Sequence, residues 1–320
     1  MTIRPIAVPD LDVAEVTAAW ERRVREACPE QLPLATRLFE RLTPERWALE
    51  WRLPSWLGAA FGLDRAIVRE LVVSNVLGLG SIRLQDDLAD GEVARDDVVE
   101  TRLLSAALYE AALDPYRVRF DRHSPFWGRL DGWMAEWRTA TERDAATRDD
   151  RLAGRAAPIR ISAFAVCLLA ERREAFPALE RCLDDALEAM VLYDHVADWE
   201  ADLDAGRWNT FVASVSDGPQ TPERRDDHRR AVLVALMATD RLTSYVARIE
   251  QALERAVAVA EGFDVPVPAL AAWFREYGAD VSARATAWQA HYRNVGDRAA
   301  RLLLQSPADA RTWQHRNGTV

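Results

Sequence analysis

Val191–Asn209 reads VLYDHVADWEADLDAGRWN. It sets Asp194, Asp198 and Asp202 at i, i+4 and i+8. On a helix turning about 100° per residue, the second and third lie about 40° and 80° round from the first, so all three share one stripe. Like charges at this spacing weaken an isolated helix by roughly 0.3 kcal/mol per pair. A bound cation would offset that cost. Mg²⁺ suits the position, because it takes hard oxygen ligands, commonly a couple of carboxylates completed by substrate phosphate and water. The plainer alternative is a solvated acidic face in a chain with 51 acidic residues.

A second cluster favours the site. Leu63–Leu88 is expected to form a helix capped by Asp64 and apolar nearly all round through Leu71, Val72, Val73, Val76, Leu77 and Leu79, the mark of a buried helix. Its last turns carry Arg83, Gln85, Asp86, Asp87 and Asp90, and Gly91 offers a stop. Carboxylates at a helix C-terminus oppose the macrodipole, which again suggests a metal. Two further strings, Asp96-Asp97-x-x-Glu100 and Asp184-Asp185-x-x-Glu188, share the spacing. Neither ends a long apolar helix, so both are expected to be solvated faces.

Composition narrows the classes. The net charge of −10 argues against nucleic acid or an anionic membrane surface as the main partner. No apolar run approaches a membrane span of about 20 residues. The opening stretch MTIRPIAVPDLD lacks the apolar core of a signal peptide. Cys28, Cys167 and Cys182 show no metal spacing and are odd in number, so a reducing cytoplasm is expected. Every basic residue apart from histidine is Arg. That removes Schiff-base lysines and P-loops, and leaves any anion to arginine, whose planar fork suits phosphate oxygens.

The rest of the chain reads as helix, with Ala, Leu, Arg and Glu dominant. Helices are expected over Val13–Ala27 and Leu34–Leu42, from an N-cap at Thr43-Pro44-Glu45, and over Arg95–Leu113, broken at Asp114-Pro115. Others start at Pro125, Pro158 and Pro177. One long helix is expected over Pro222–Glu261 and another over Leu270–Leu304, with a break near Gly278. The polar stretch Thr147–Gly154 is the best place for a domain boundary, but it is short. The expected architecture is therefore all-α: a single domain over residues 1–320, a helical bundle around buried central helices and an apolar pocket.

Two acidic clusters 108 residues apart on apolar helices can enclose a metal-bound diphosphate in such a bundle. Here the chain resembles the class I isoprenoid synthase superfamily: terpene synthases, trans-polyprenyl diphosphate synthases and squalene/phytoene synthases. Asp86, Asp87 and Asp90 match the first motif, DDxxD. Asp194, Asp198 and Asp202 match the spacing of the cyclases' second motif, N/D-x3-S/T-x3-E, though not wholly its residue types. In the polyprenyl synthases' DDxxD alignment the second position is His195, and Gly206-Arg207 resembles the tail of the squalene/phytoene motif. Gly154-Arg155-Ala156-Ala157 resembles the polyprenyl synthases' K-T-A stretch, with Arg155 for the diphosphate-binding Lys and Arg160 as its rival. His291-Tyr292-Arg293 resembles the cyclases' Arg-Tyr pair in reversed order.

The resemblance implies six metal-binding carboxylates, Asp86, Asp87, Asp90, Asp194, Asp198 and Asp202, holding three Mg²⁺ ions with diphosphate. It implies Arg155, Arg207, Tyr292 and Arg293 as catalytic groups around the leaving diphosphate. Trp56, Phe61, Trp133, Phe164, Tyr193 and Trp199 are candidates to face the carbocation, each with core packing as its other reading. The polyprenyl synthases' RRG after the first motif is missing; Gly91-Glu92-Val93-Ala94-Arg95 stands there. That favours a terpene cyclase acting on one C15–C20 prenyl diphosphate over a prenyl-coupling enzyme of the polyprenyl or squalene/phytoene kind. The resemblance also allows a homodimer. A reading of another class is a non-enzymatic helical ligand-binding or scaffold protein whose Asp clusters are solvated.

Overall fold

Arg65–Ala89 forms the longest buried helix of the first half, and Asp64 caps it, its carboxylate accepting from the Ala66 N–H at 2.8 Å. In the computed structural model, residues 13–142 and 152–305 are described. Most of Thr147–Gly154 lies outside them. Among the described residues the regular elements are all helical, joined by short turns and loops: α1 (Val13–Ala27), α2 (Leu32–Arg41), α3 (Ala48–Phe61), α4 (Arg65–Ala89), α5 (Val98–Arg119), α6 (Pro125–Glu142), α7 (Ile159–Leu169), α8 (Phe176–Ala197), α9 (Trp199–Ala205), α10 (Thr210–Val215), α11 (Arg225–Ala238), α12 (Arg241–Glu261) and α13 (Pro268–Gln305).

The chain divides into two units. Among the described residues, the first holds 13–142, 153–187 and 254–276; the second holds 152, 188–253 and 277–305. In the first, α4 is the axis. Val72, Val73, Val76, Leu77 and Leu84 pack with Val16, Trp20 and Val24 of α1, Ala35 and Leu38 of α2, and Leu104, Leu108, Ala111 and Ala112 of α5. Each large apolar side chain so buried contributes about 1.5–3 kcal/mol. Small residues set the approach. A Cβ at Gly80 would stand 3.2 Å from Leu108 Cδ1 and 3.3 Å from Leu38 Cδ2. At the next residue, the Ser81 and Ser105 hydroxyls are hydrogen-bonded at 3.1 Å across α4 and α5.

In the second unit, α9 and α10 pack on α11. Buried His228 bridges Ser216 Oγ at 2.6 Å and the Pro219 carbonyl at 2.9 Å, tying the loop after α10 to α11. Cys28, Cys167 and Cys182 are all buried free thiols. Burial pushes the Cys167 and Cys182 thiols up to about 12.

Several expected breaks fall elsewhere. Pro115 lies inside α5, not at its end. Proline costs a helical hydrogen bond, and in the disrupted turn the Ser74 hydroxyl donates to the Ala112 carbonyl at 2.5 Å. Thr43-Pro44-Glu45 is a turn closed by the Arg46 and Trp47 N–H groups on the Thr43 carbonyl, and α3 starts only at Ala48. The span Pro222–Glu261 is divided at Thr239, whose extended backbone ends α11 while its Oγ1 accepts from Arg241 N and so starts α12. Gly278 does not break α13. A Cβ there would meet Leu253 Cδ1 at 3.3 Å, so the glycine serves close packing.

Candidate functional site

The first acidic cluster ends α4 in a Schellman-type turn. Gly91 takes a φ of +71°, and the Glu92 N–H reaches back to the Asp87 carbonyl at 2.9 Å. This turn fixes Asp90 as the C-cap one turn beyond Asp86. The three carboxylates differ. Asp87 is buried and gripped by Arg41 of α2, whose NH1 and NH2 reach its two oxygens at 2.9 and 3.2 Å. Arg83 spans Asp86 at 3.2 Å and Asp87 at 3.3 Å, with its guanidinium over the Trp47 ring. The charge expected to need a metal at this helix end is thus partly met by two arginines. Asp87 is an anchor for them as the structure stands.

Asp86 is different in kind. Its carboxyl is pushed up to about 6, first by desolvation and then by Asp90 and Asp87, against the opposing pull of Arg83 and Arg155. A half-buried carboxyl crowded by two others is the donor chemistry a hard divalent cation suits. Arg155, in the short turn Leu152–Ala156, is close enough for its charge to act on Asp86. Its rival Arg160 is fully committed elsewhere: it is buried, with Nε 2.7 Å from Asp184 and NH1 2.9 Å from Glu136. That arrangement also disposes of the Asp184-Asp185 string. Asp185 is paired with Arg255 at 2.7 Å, so the string is ion-paired and not simply solvated. Asp96, Asp97 and Glu100 are exposed.

The second cluster does not lie on one straight helix. α8 stops at Ala197 and Asp198 is the N-cap of α9, although the Asp198 N–H still bonds the Asp194 carbonyl and the Asp202 N–H the Asp198 carbonyl. The spacing survives, while the single stripe is interrupted at Asp198. Gly206 ends α9 with a φ of +71°, and the turn brings Arg207 back onto Asp202: its N–H meets the Asp202 carbonyl at 2.8 Å and its Nε meets Oδ1 at 3.0 Å. Asp202 Oδ2 accepts from Asn209 Nδ2 at 2.7 Å. Both oxygens of Asp202 therefore hold the chain that follows. His195 is buried and turned to Thr210, with Nδ1 2.8 Å from its Oγ1.

Tyr193 stacks on Trp288 at 6.1 Å and meets Tyr277 edge-on. Burial raises its hydroxyl pKa, and Arg284 and Asp198 both act on it. Arg284 is thus an arginine beside the second cluster that spacing did not single out. It carries no motif, and only the packing of α13 brings it there. Of the expected pair at the C-terminus, Arg293 is exposed and ion-paired with Asp240, and Tyr292 stands next to it, partly exposed. Among the aromatic candidates, Trp56 packs on Trp273 at 5.9 Å, Trp133 on Phe164 at 5.6 Å, Trp199 is buried, and Phe61 is partly exposed at the end of α3.

Among the described residues, no three His, Cys, Asp or Glu side chains form a ready-made metal cage. No helix among them is long and apolar enough to cross a membrane. No family model and no curated protein sequence matches the chain. A solved structure does: a geranylgeranyl pyrophosphate synthetase from the archaeon Geoglobus acetivorans, with a TM-score of 0.59 over 84% of this chain and 98% of that one, at 14% sequence identity. The chain has the class I isoprenoid synthase fold, all-α, as the sequence resemblance implied.

Proposed function

We propose that this chain is a class I terpene synthase that ionises one C15–C20 prenyl diphosphate and cyclises the resulting cation. The observation that supports it most is the setting of Asp86: a desolvated carboxyl beside Asp90 and within the field of Arg155, at the end of a buried helix, in an isoprenoid synthase fold. Asp86, Asp90, Asp194 and Asp198 would hold Mg²⁺. Asp87 and Asp202, whose oxygens already grip Arg41, Arg83, Arg207 and Asn209, would position their neighbours. Mg²⁺ bound with the diphosphate would supply Lewis-acid stabilisation of the leaving oxygen. Arg155 would bind diphosphate oxygens through its planar fork, and Arg207 would join it on the second motif's side. The buried aromatic walls would exclude water and present ring faces to positive charge.

The similar structure is named a geranylgeranyl pyrophosphate synthetase, which favours prenyl coupling as the second reading. The absence of an RRG after Asp90 speaks against it. The test is incubation of purified protein with Mg²⁺ and farnesyl or geranylgeranyl diphosphate separately, following hydrocarbons and released diphosphate, with Asp86→Asn in parallel. A cyclic product from a single substrate, lost in D86N, is the expected result. Longer prenyl products formed only with added isopentenyl diphosphate would move the assignment to coupling. No turnover in either case, with no rise in melting temperature on adding Mg²⁺ and diphosphate, would move it to a non-enzymatic helical binding or scaffold protein.

A further inference from the structure

Arg155, the group proposed above to meet the diphosphate, stands on a short turn and not within a long helix. A side chain that must meet charge at one place needs its support locked by packing and hydrogen bonds, which a turn alone supplies poorly. The support comes from the neighbouring helices. Arg160, in the first turn of α7, is buried. Its NH1 donates to Glu136 Oε2 of α6 at 2.9 Å, while Nε and NH2 hold Asp184 Oδ1 of α8 at 2.7 and 2.5 Å. A guanidinium taken out of water requires such partners, and here they tie three helices together.

Glu136 faces two ways. One oxygen takes the Arg160 bond, and the other lies against Gly154, next to Arg155. A Cβ at Gly154 would stand 3.3 Å from Glu136 Oε1, 3.4 Å from Glu136 Cγ and 3.5 Å from Ala140 Cβ. The turn is therefore laid directly on the face of α6 that Glu136 and Ala140 share. The Gly154 backbone is not left-handed, so close approach to Glu136 is what calls for glycine. The main chain closes the circuit: the Ala157 N–H donates to the Gly154 carbonyl at 3.2 Å, and the Arg160 N–H to the Ala157 carbonyl at 3.1 Å. Gly154, Ala157, Arg160 and Glu136 thus form one ring of contacts, with Arg155 carried on it. All of them lie in the first unit, as does Asp86, on which the Arg155 charge acts.

We propose that Glu136 and Arg160 are positioning residues: anchored by Asp184, they fix the turn at Gly154 and so aim the Arg155 guanidinium at the diphosphate beside Asp86. This rests on the roles given to Arg155 and Asp86 above. Neither Glu136 nor Arg160 touches the diphosphate. Arg160, which sequence alone sets up as a rival for the anion, acts on it only through Arg155, and Gly154 is the point at which the brace meets the turn.

The test is a double-mutant cycle read by calorimetry, with inorganic pyrophosphate and Mg²⁺ as the probe. Arg155→Gln removes the anion's partner. Glu136→Ala removes the brace, while Glu136→Gln keeps its shape and its bond to Arg160. Gly154→Ala disturbs the same contact from the other side without touching a charge, and it carries the cycle if Glu136→Ala does not fold. Glu136→Ala should weaken pyrophosphate binding on the order of tenfold, with Glu136→Gln close to wild type. Once Arg155 is Gln, Glu136→Ala should weaken it no further. A loss of equal size in the Arg155→Gln background would mark Glu136 as merely structural and overturn the proposal. Wild-type binding in Glu136→Ala, with Arg155→Gln weakened, would overturn the brace and leave the role of Arg155 standing. Wild-type binding in Arg155→Gln would overturn both of those roles and leave the cyclase reading to its product assay. A native protein that binds no pyrophosphate in the presence of Mg²⁺ overturns the brace together with the reading on which it rests.

Discussion

Asn209→Ala is the substitution whose cost can be worked most fully from the structure. Asn209 is fully buried. Its Oδ1 accepts from the Phe211 and Val212 N–H groups at 2.9 and 3.1 Å, capping α10. Its Nδ2 donates to the His195 carbonyl and to Asp202 Oδ2, both at 2.7 Å. Loss of the cap costs about 1 kcal/mol. Stranding a buried carbonyl and one oxygen of a carboxylate costs roughly 2 kcal/mol more. The main-chain bonds to the Gln220 side chain, at 2.9 and 2.8 Å, are untouched, so the loop should keep its course. A total of about 3 kcal/mol lowers the melting temperature by roughly 4–5 °C in a chain of 320 residues. The assay is thermal unfolding followed by circular dichroism, with hydrogen exchange at Phe211 and Val212 as the local readout. Asn209→Asp separates the two halves: it keeps the cap but sets an oxygen against Asp202, and should be destabilised as much. A fall under about 2 °C in Asn209→Ala, or unchanged protection of those two amides, would refute this account of how the second motif is held.

Two further outcomes follow from the packing and burial. Because burial raises the Glu50 carboxyl from 4.5 to about 7, the folded chain holds that proton where the unfolded chain has lost it. Stability is therefore lost as pH rises from the unfolded value through about 7, by up to roughly 3 kcal/mol. Glu50→Gln should lack this component, so denaturation curves of the two proteins should diverge between acid and neutral pH; parallel curves would contradict the burial. At Gly58 an added Cβ would come 2.3 Å from Val68 Cγ2, whereas at Gly128 on α6 it would meet nothing within 4 Å. Gly58→Ala should cost about 1–3 kcal/mol by overpacking, and Gly128→Ala should gain about 0.5–1 kcal/mol, both read by chemical denaturation.

What was legible in the sequence was local. α4 could be read from its cap to its stop because Asp64, the apolar run and Gly91 each act within one turn of themselves. The two acidic motifs were equally plain as spacings, although the second runs across the break between α8 and α9. What escaped was set by distant partners. Arg41 meets Asp87 across 46 residues, and no local pattern marks it. Arg284 reaches Tyr193 only through the course of α13. Pro115 looked like a helix end because local rules forbid it, and the packing of α5 on α4 overrules them. Thr239 was readable after all: a Thr-Asp pair inside an amphipathic run is an N-cap signal, and the run's good period concealed it. Glu50, a lone acid within Trp47-Ala-Leu-Glu-Trp51, was the one buried-charge signal that spacing rules do not weigh.

The three sunken thiols have a practical consequence for probing this molecule. Alkylating dyes attack thiolates, and burial holds the Cys167 and Cys182 thiols at about 12 with Cys28 also raised, so at neutral pH all three present little reactive anion. Lysines, the usual competing target, do not occur in the chain. A cysteine introduced at exposed Val99 on α5, or at exposed Val234 on α11, should therefore take a fluorophore selectively in the otherwise unaltered protein. A label at either position would report, within its own unit, whether Mg²⁺ and diphosphate bind.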